Sequence, residues 1–192
     1  MANADRAVGL LPVRHTTGAP YNGAARVFST ASGDATAIFV GDPVKLSGTS
    51  STINGVVYAD VDQGATGDVF VGVVVGVLPD TADSLTYRAA STTRRLLVAC
   101  DPDLEYEIQE VSGGIALTAA DIGLNANIVV GTGSTTTGLS GVELNNVGEA
   151  TTNTLDVQIL GLVSRADNEV GEHAKWLVRI NRHQFANQVA GA

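Results

Sequence analysis

Four acids at alternate positions, Asp101, Asp103, Glu105 and Glu107 in the segment LLVACDPDLEYEIQE, are the side chains best spaced to do chemistry in this chain. Hard cations take several oxygen ligands, so such a run raises a calcium site as one reading. Alternation decides against it. Successive strand side chains face opposite sides, so Asp103, Glu105 and Glu107 share one face while Leu104, Tyr106 and Ile108 share the other. Acids two apart on that face stand about 7 Å from each other, too far to chelate one ion without another strand or loop. The segment reads as a half-buried strand with an acidic face that is salt-bridged or solvated, or that forms an intermolecular contact and keeps substantial exposure. Arg94 and Arg95 are placed to return on a neighbouring strand and pair with it.

The other candidate chemistries are weaker. Asp60, Asp62 and Asp68 frame VDQGATGD but lack the spacing and terminal bidentate acid of a helix–loop–helix calcium site, so a polar hairpin loop is expected. His15, His173 and His183 are dispersed, and none stands beside an acid and a nucleophile. There is no G-x-S-x-G elbow and no phosphate-binding GxxxxGK[ST] loop. No catalytic residue, cofactor or metal is expected, and the chain is read as a non-enzymatic protein.

Bulk properties bound the rest. A net charge of −9 with only 11 Lys and Arg argues against binding a phosphate backbone or anionic lipid, so neither nucleic acid nor membrane is an expected partner. The longest apolar stretch, residues 69–78, falls far below the roughly 20 residues a membrane-crossing helix needs. The N-terminal MANADRAVG is not expected to be a signal peptide. Cys100 is the single cysteine, which excludes an internal disulfide and fits an intracellular folding environment.

Many short apolar runs punctuated by Gly, Pro, Asn and Asp predict an all-β fold, a compact barrel or sandwich of mostly antiparallel strands. Expected strands cover residues 26–29, 37–39, 44–47, 55–60, 69–78, 94–99, 105–110, 127–130, 142–144, 157–163 and 175–180. Asn54-Gly55 is a hairpin dipeptide because both residues tolerate positive φ. Gly72 and Gly76 mark bending of a long strand. Thr118 and Asp121 suit a capping box on a short helical turn stopped at Gly123. Residues 131–141, GTGSTTTGLSG, read as a surface loop. The expected core comprises Phe39, Val57, Phe70, Val74, Leu97, Leu104, Ile108, Ile159, Trp176, Val178 and Ile180. Residues 1–23 read as an extended N-terminal arm, or equally as a frayed terminus or a strand laid along the same domain. Residues 24–192 form a β-rich domain, with room for a small subdomain.

With these segments in place, the chain resembles the head decoration, or capsid cement, proteins of tailed bacteriophages. The likeness runs through GLLPVRH at 9–15, VFVGVVVGVL at 69–78, LVACDPDLEYEIQ at 97–109, DIGLN at 121–125, the 131–141 loop, LGL at 160–162, DNE at 167–169 and VRINRH at 178–183. Ala99-Cys100 stands where a more acidic approach to the Asp101-Pro102 turn is expected. The resemblance implies a protein made and folded in the host cytoplasm and located on the outer surface of the virion capsid. It would bind the major capsid protein as a homotrimer. Candidate capsid or subunit contacts are then Leu11, Pro12, Val13, Arg14 and His15 on the arm, Asp101, Asp103, Glu105 and Glu107 on the acidic face, and Arg182 and His183 at the polar end. Alternatives are a tail-tube or connector-associated β-domain, or a module that binds a host-surface glycan through exposed members of Trp176, Tyr21, Tyr58, Tyr87 and Tyr106.

Overall fold

A computed structural model describes residues 3–186. The fold is all-β, with two multi-stranded sheets. In chain order the strands are β1 (Leu11–His15), β2 (Arg26–Ser29), β3 (Pro43–Ile53), β4 (Val56–Gln63), β5 (Gly72–Val77), β6 (Arg95–Ala99) and β7 (Leu104–Gln109). They continue as β8 (Asn125–Ala126), β9 (Ile128–Val129), β10 (Glu143–Leu144), β11 (Val157–Leu162) and β12 (Lys175–Ile180). One sheet is antiparallel in the order β1-β7-β12-β11-β8. In the other, β2, β4, β3, β5 and β6 hydrogen-bond in a ring that closes through one parallel bridge, Ser29 to Asp60. β9 and β10 form a small separate ladder. Among the described residues no helix is long and apolar enough to cross a membrane.

Two apolar cores lie side by side and explain the run at 69–78. Phe70 and Val73 of this segment, with Ala99 of β6, belong to the core around Trp176, Tyr106 and Ile159. Val71 and Val74, with Leu96 and Val98, belong to the core around Phe28, Ile38 and Val61. A strand apolar on both faces does not alternate, because neither face meets water. Gly72 is required where β5 meets β6: a Cβ there would lie 2.2 Å from the Ala99 carbonyl oxygen. The register shifts between Val74 and Gly76, and Leu97 packs over the space that Gly76 leaves.

Local signals are realised as expected. Asn54 and Gly55 take φ of 52° and 80°, joining β3 to β4. Thr118 and Asp121 close a reciprocal capping box on a 3₁₀ turn over Ala119–Asp121. Trp176 is fully buried.

Three expectations are corrected. Residues 3–23 do not stand off as an extended arm, because Leu10 is fully buried and Leu11–His15 form the outer strand of the antiparallel sheet. The strand-along-the-domain reading is the one realised, and deleting residues 2–18 would remove β1 itself. Val57 is 66% exposed, since it sits where β3 and β4 run beyond the ring. Leu97 is half-buried because Leu96 and Val98 take the interior phase of β6. The 131–141 loop lies on the surface but is docked, with Ser140 N–H donating to Val40 at 2.8 Å and Gly133 lying beneath the Phe39 ring.

Buried charged side chains fasten the loops. Glu110 accepts from Trp176 Nε1 at 2.8 Å, Leu117 N–H at 2.9 Å and Asn146 Nδ2 at 3.1 Å. Arg88, fully buried, pairs with Asp34 at 3.0 Å and donates to the carbonyls of Ala31 and Thr92 at 2.7 and 2.8 Å and to that of Thr36. Asp156 accepts from Gly67 and Ile128 N–H groups at 2.9 and 3.1 Å. Burial holds its carboxyl above the usual carboxylate range despite these bonds. Glu110→Leu strands three donors and is expected to cost about 3 kcal/mol. Val57→Ser, on an open face, should stay within about 0.5 kcal/mol of wild type. Urea unfolding measures both, and similar losses for the two would contradict this assignment of core and surface.

Candidate functional site

β1 pairs with β7 in the register Leu11 to Glu107, Pro12 to Tyr106, Arg14 to Glu105 and His15 to Leu104, with a bulge between Pro12 and Arg14. The candidate contacts of the arm and of the acidic face therefore meet each other. Arg14 Nε lies 2.7 Å from Glu105 Oε2, and Glu105 is only 8% exposed. Glu107 is held by Arg165 at 2.9 Å, and His15 Nδ1 stands 3.5 Å from Asp101 Oδ2. Asp101 and Asp103 remain exposed, and Asp101 Oδ1 accepts from the Asp103 N–H at 2.9 Å. Of the readings for the acidic face, the ion-paired one is realised, and the substantial exposure expected along it is confined to Asp101 and Asp103. Its partners are Arg14 and Arg165.

Arg94 and Arg95 instead face Asp80 at 3.5 and 3.3 Å, because β6 runs in the ring beside β5 and the turn that follows it. The outer edge of β1 is also occupied by its own chain. His15 N–H donates to Ala19 and Tyr21 N–H donates to Val13, at 2.8 and 3.0 Å. Leu11 and Pro12 are half-buried, while Val13 and Arg14 keep exposed surface.

The polar end at Arg182 and His183 is tied into the fold. Arg182 donates to the Thr154 carbonyl at 3.2 Å and to that of Gly67, pinning two loops. His183 is buried rather than a surface contact: it bridges to Phe70, and its Nδ1 accepts from the Phe185 N–H at 3.1 Å. Burial lowers the pKa of its imidazole, with Asp101 acting the other way.

A concavity of about 630 Å³ opens beside this face, lined by Asn3, Asp5, Arg6, Arg165, His173 and Lys175 among others. Next to it, one ligand atom each from Asp5, Glu143 and His173 falls within 4.8 Å of the others, the kind of mixed oxygen and nitrogen set that divalent transition ions use. A protein donor already engages that set. Gln109 Nε2 donates to Asp5 Oδ1 at 2.9 Å and to Glu143 Oε1 at 2.7 Å, and stands 3.4 Å from His173 Nδ1. The Gln109 oxygen is fixed in turn by Arg6 N–H at 2.7 Å and by Lys175 Nζ. Burial pushes the Lys175 ammonium below its ordinary pKa, while Glu107, Asp5 and Glu143 draw it back. Residues this far apart share no spacing motif, so the cluster carried no sequence signal.

Nucleophilic chemistry finds no triad among the described residues. Ser29 donates to Asp60 at 2.5 Å, but Thr49 and Ser51 complete that carboxylate at 2.9 and 3.0 Å and no imidazole joins it. Of the proposed sugar platforms, Trp176 and Tyr106 are buried, and Tyr87 stacks on Phe39 with ring centroids 4.9 Å apart. Exposed apolar side chains are the more distinctive surface feature. Ile115 is 80% and Val147 59% exposed, on adjoining loops where a Cβ on Gly114 would lie 2.8 Å from Val147 Cγ2. Beneath them, buried Asn146 donates to Glu110, to the Val111 carbonyl at 3.2 Å and to the Gly113 carbonyl at 2.6 Å.

Because the unfolded chain takes up a proton near pH 6.5 and buried His183 resists it, the His183 contribution to stability is full above that pH and is lost as pH falls below it. The buried carboxyls of Asp42 and Asp156, raised by burial, act with the opposite sign, so the histidine is read by comparison with a variant. Between pH 7.5 and 5.5, wild type is expected to lose more stability than His183→Gln, by at most about 1.4 kcal/mol per pH unit. Equal losses in denaturant titrations would contradict the assignment. No family model, curated protein or solved structure matches the chain.

Proposed function

We propose that this chain is a non-enzymatic virion structural protein that binds the outside of the major capsid shell and cements neighbouring capsid subunits. The reading rests first on the ordered resemblance of its segments to head decoration proteins. Within the structure, the observation that carries it is the exposed pair Ile115 and Val147, held over a buried hydrogen-bonded base. Such a pair gains free energy only when something covers it, and its rigid base leaves little ordering entropy to lose on contact.

A cement works by multivalency. Once one contact forms, the next is effectively intramolecular, so several modest apolar contacts across adjacent subunits add to high avidity. If the protein binds the expanded shell better than its precursor, linkage stabilises the mature head by that difference. The ion pairs along β1 and β7 are already satisfied within the chain, so they serve the scaffold and leave attachment to the apolar projections and the oligomer contacts.

Mixing purified protein with matched capsids that lack it, then measuring co-sedimentation, tests the reading. Wild type should saturate at a copy number compatible with icosahedral symmetry, and Ile115→Asp with Val147→Asp should weaken binding at least about tenfold. Failure of wild type to bind mature, matched shells would overturn it, and binding to tails or connectors instead would move the protein there.

A further inference from the structure

β3 and β4 leave the ring together as a two-stranded ribbon. β3 pairs with β5 at Pro43 and Val44, and β4 meets β2 at its root, through the Ser29 to Asp60 bridge and the Ser29 hydroxyl, which donates to the Tyr58 and Ala59 carbonyls at 3.3 and 3.4 Å. From Ser50 to Ala59, the described pairings of the two strands are with each other alone, through Ser50 to Ala59, Ser51 to Tyr58, Thr52 to Val57 and Ile53 to Val56. The stretch from 46 to 59, LSGTSSTINGVVYA, contains no Asp, Glu, Lys or Arg, in a chain whose net charge is −9. Every residue of it is exposed or half-exposed, with Val56 at 50% and Val57 at 66%.

Natural sheets guard open edges with charge, proline or bulges, and from 50 to 59 this ribbon carries no charge and no proline, its one register shift lying at the root between Leu46 and Ser50. Two strands alone are also marginal in water. The root is nevertheless firm, because Asp60 gathers the hydroxyls of Ser29, Thr49 and Ser51. One face, made of Ser50, Thr52, Val57 and Ala59, is open along its whole length.

We infer that this ribbon is the contact through which copies of the chain associate, strand edge and uncharged face against a second copy. The charge distribution selects that occupant. Two molecules of this protein repel through their excess acids, and that repulsion falls most where neither presents a charge. An uncharged ribbon lets identical acidic chains meet without desolvating a carboxylate. Beyond Val44 the outer edge of β3 has no strand beside it among the described residues, and it offers main-chain donors and acceptors that another ribbon can satisfy. This deepens the proposed attachment role by naming its subunit contact, and it is measured without shells so that the two ideas fail separately.

Sedimentation equilibrium of the full chain across micromolar concentrations, with Val57→Asp and Thr52→Lys beside wild type, decides it. Wild type should self-associate. Each variant should do so at least about tenfold more weakly, with unfolding midpoints near that of wild type. The variants carry opposite charges at cross-strand partners, so a loss common to both reports the contact rather than the sign of the charge. A wild type that stays monomeric overturns the inference, as do variants that associate as tightly as wild type. Monomeric protein in which Val57→Asp loses only shell binding also overturns it, and assigns the ribbon to the capsid.

Discussion

Loops poor in large side chains cannot be held by apolar burial, and this structure holds them with buried charge. Aromatic residues make up 5% of the chain, and much of it outside the strands is Gly, Ser, Thr and Asn. Glu110, Arg88, Asp156 and Asp60 each collect backbone or hydroxyl groups from segments distant in sequence. The arrangement is stringent. A buried polar group that loses its partner costs far more than the pair contributes, so each centre must be complete. The result is a scaffold whose loops are tied down at buried polar centres.

Elements whose signals are local were legible in the sequence. The alternation of KWLVRI placed Trp176, Val178 and Ile180 on one buried face, and the Asn54-Gly55 turn and the Thr118 capping box follow from side chains a few residues apart. What stayed open or escaped depended on partners. β1 is an edge strand in a Pro- and Gly-containing segment, and it becomes a strand because β7 offers it a register. Val57 looks like core until the β3–β4 ribbon is seen to outrun its sheet. Glu105 reads as a solvated acid, and only the bulge in β1 brings Arg14 opposite it. Gln109, which joins Asp5, Glu143 and His173, lies at the end of a strand recognised for other reasons.

Alternating acids look like the working surface, yet they are largely spent within the molecule on Arg14, Arg165 and His15. Glu105 in particular is withdrawn from solvent against Arg14, and the more exposed pairs contribute only about 0–1 kcal/mol each. The groups we propose for attachment are apolar and lie elsewhere: Ile115 and Val147 beside the antiparallel sheet, and the β3–β4 ribbon beyond the ring. Their separation on the two sheets supports the proposed bridging of several neighbours.

Hydrogen exchange of the protein, free and on saturated shells, tests this account most directly. Amides at 111–117 and 145–148 should slow markedly on the shell, while those of β7 change little because they are already paired on both sides. Unchanged exchange at both loops in shell-bound protein would contradict attachment through that surface.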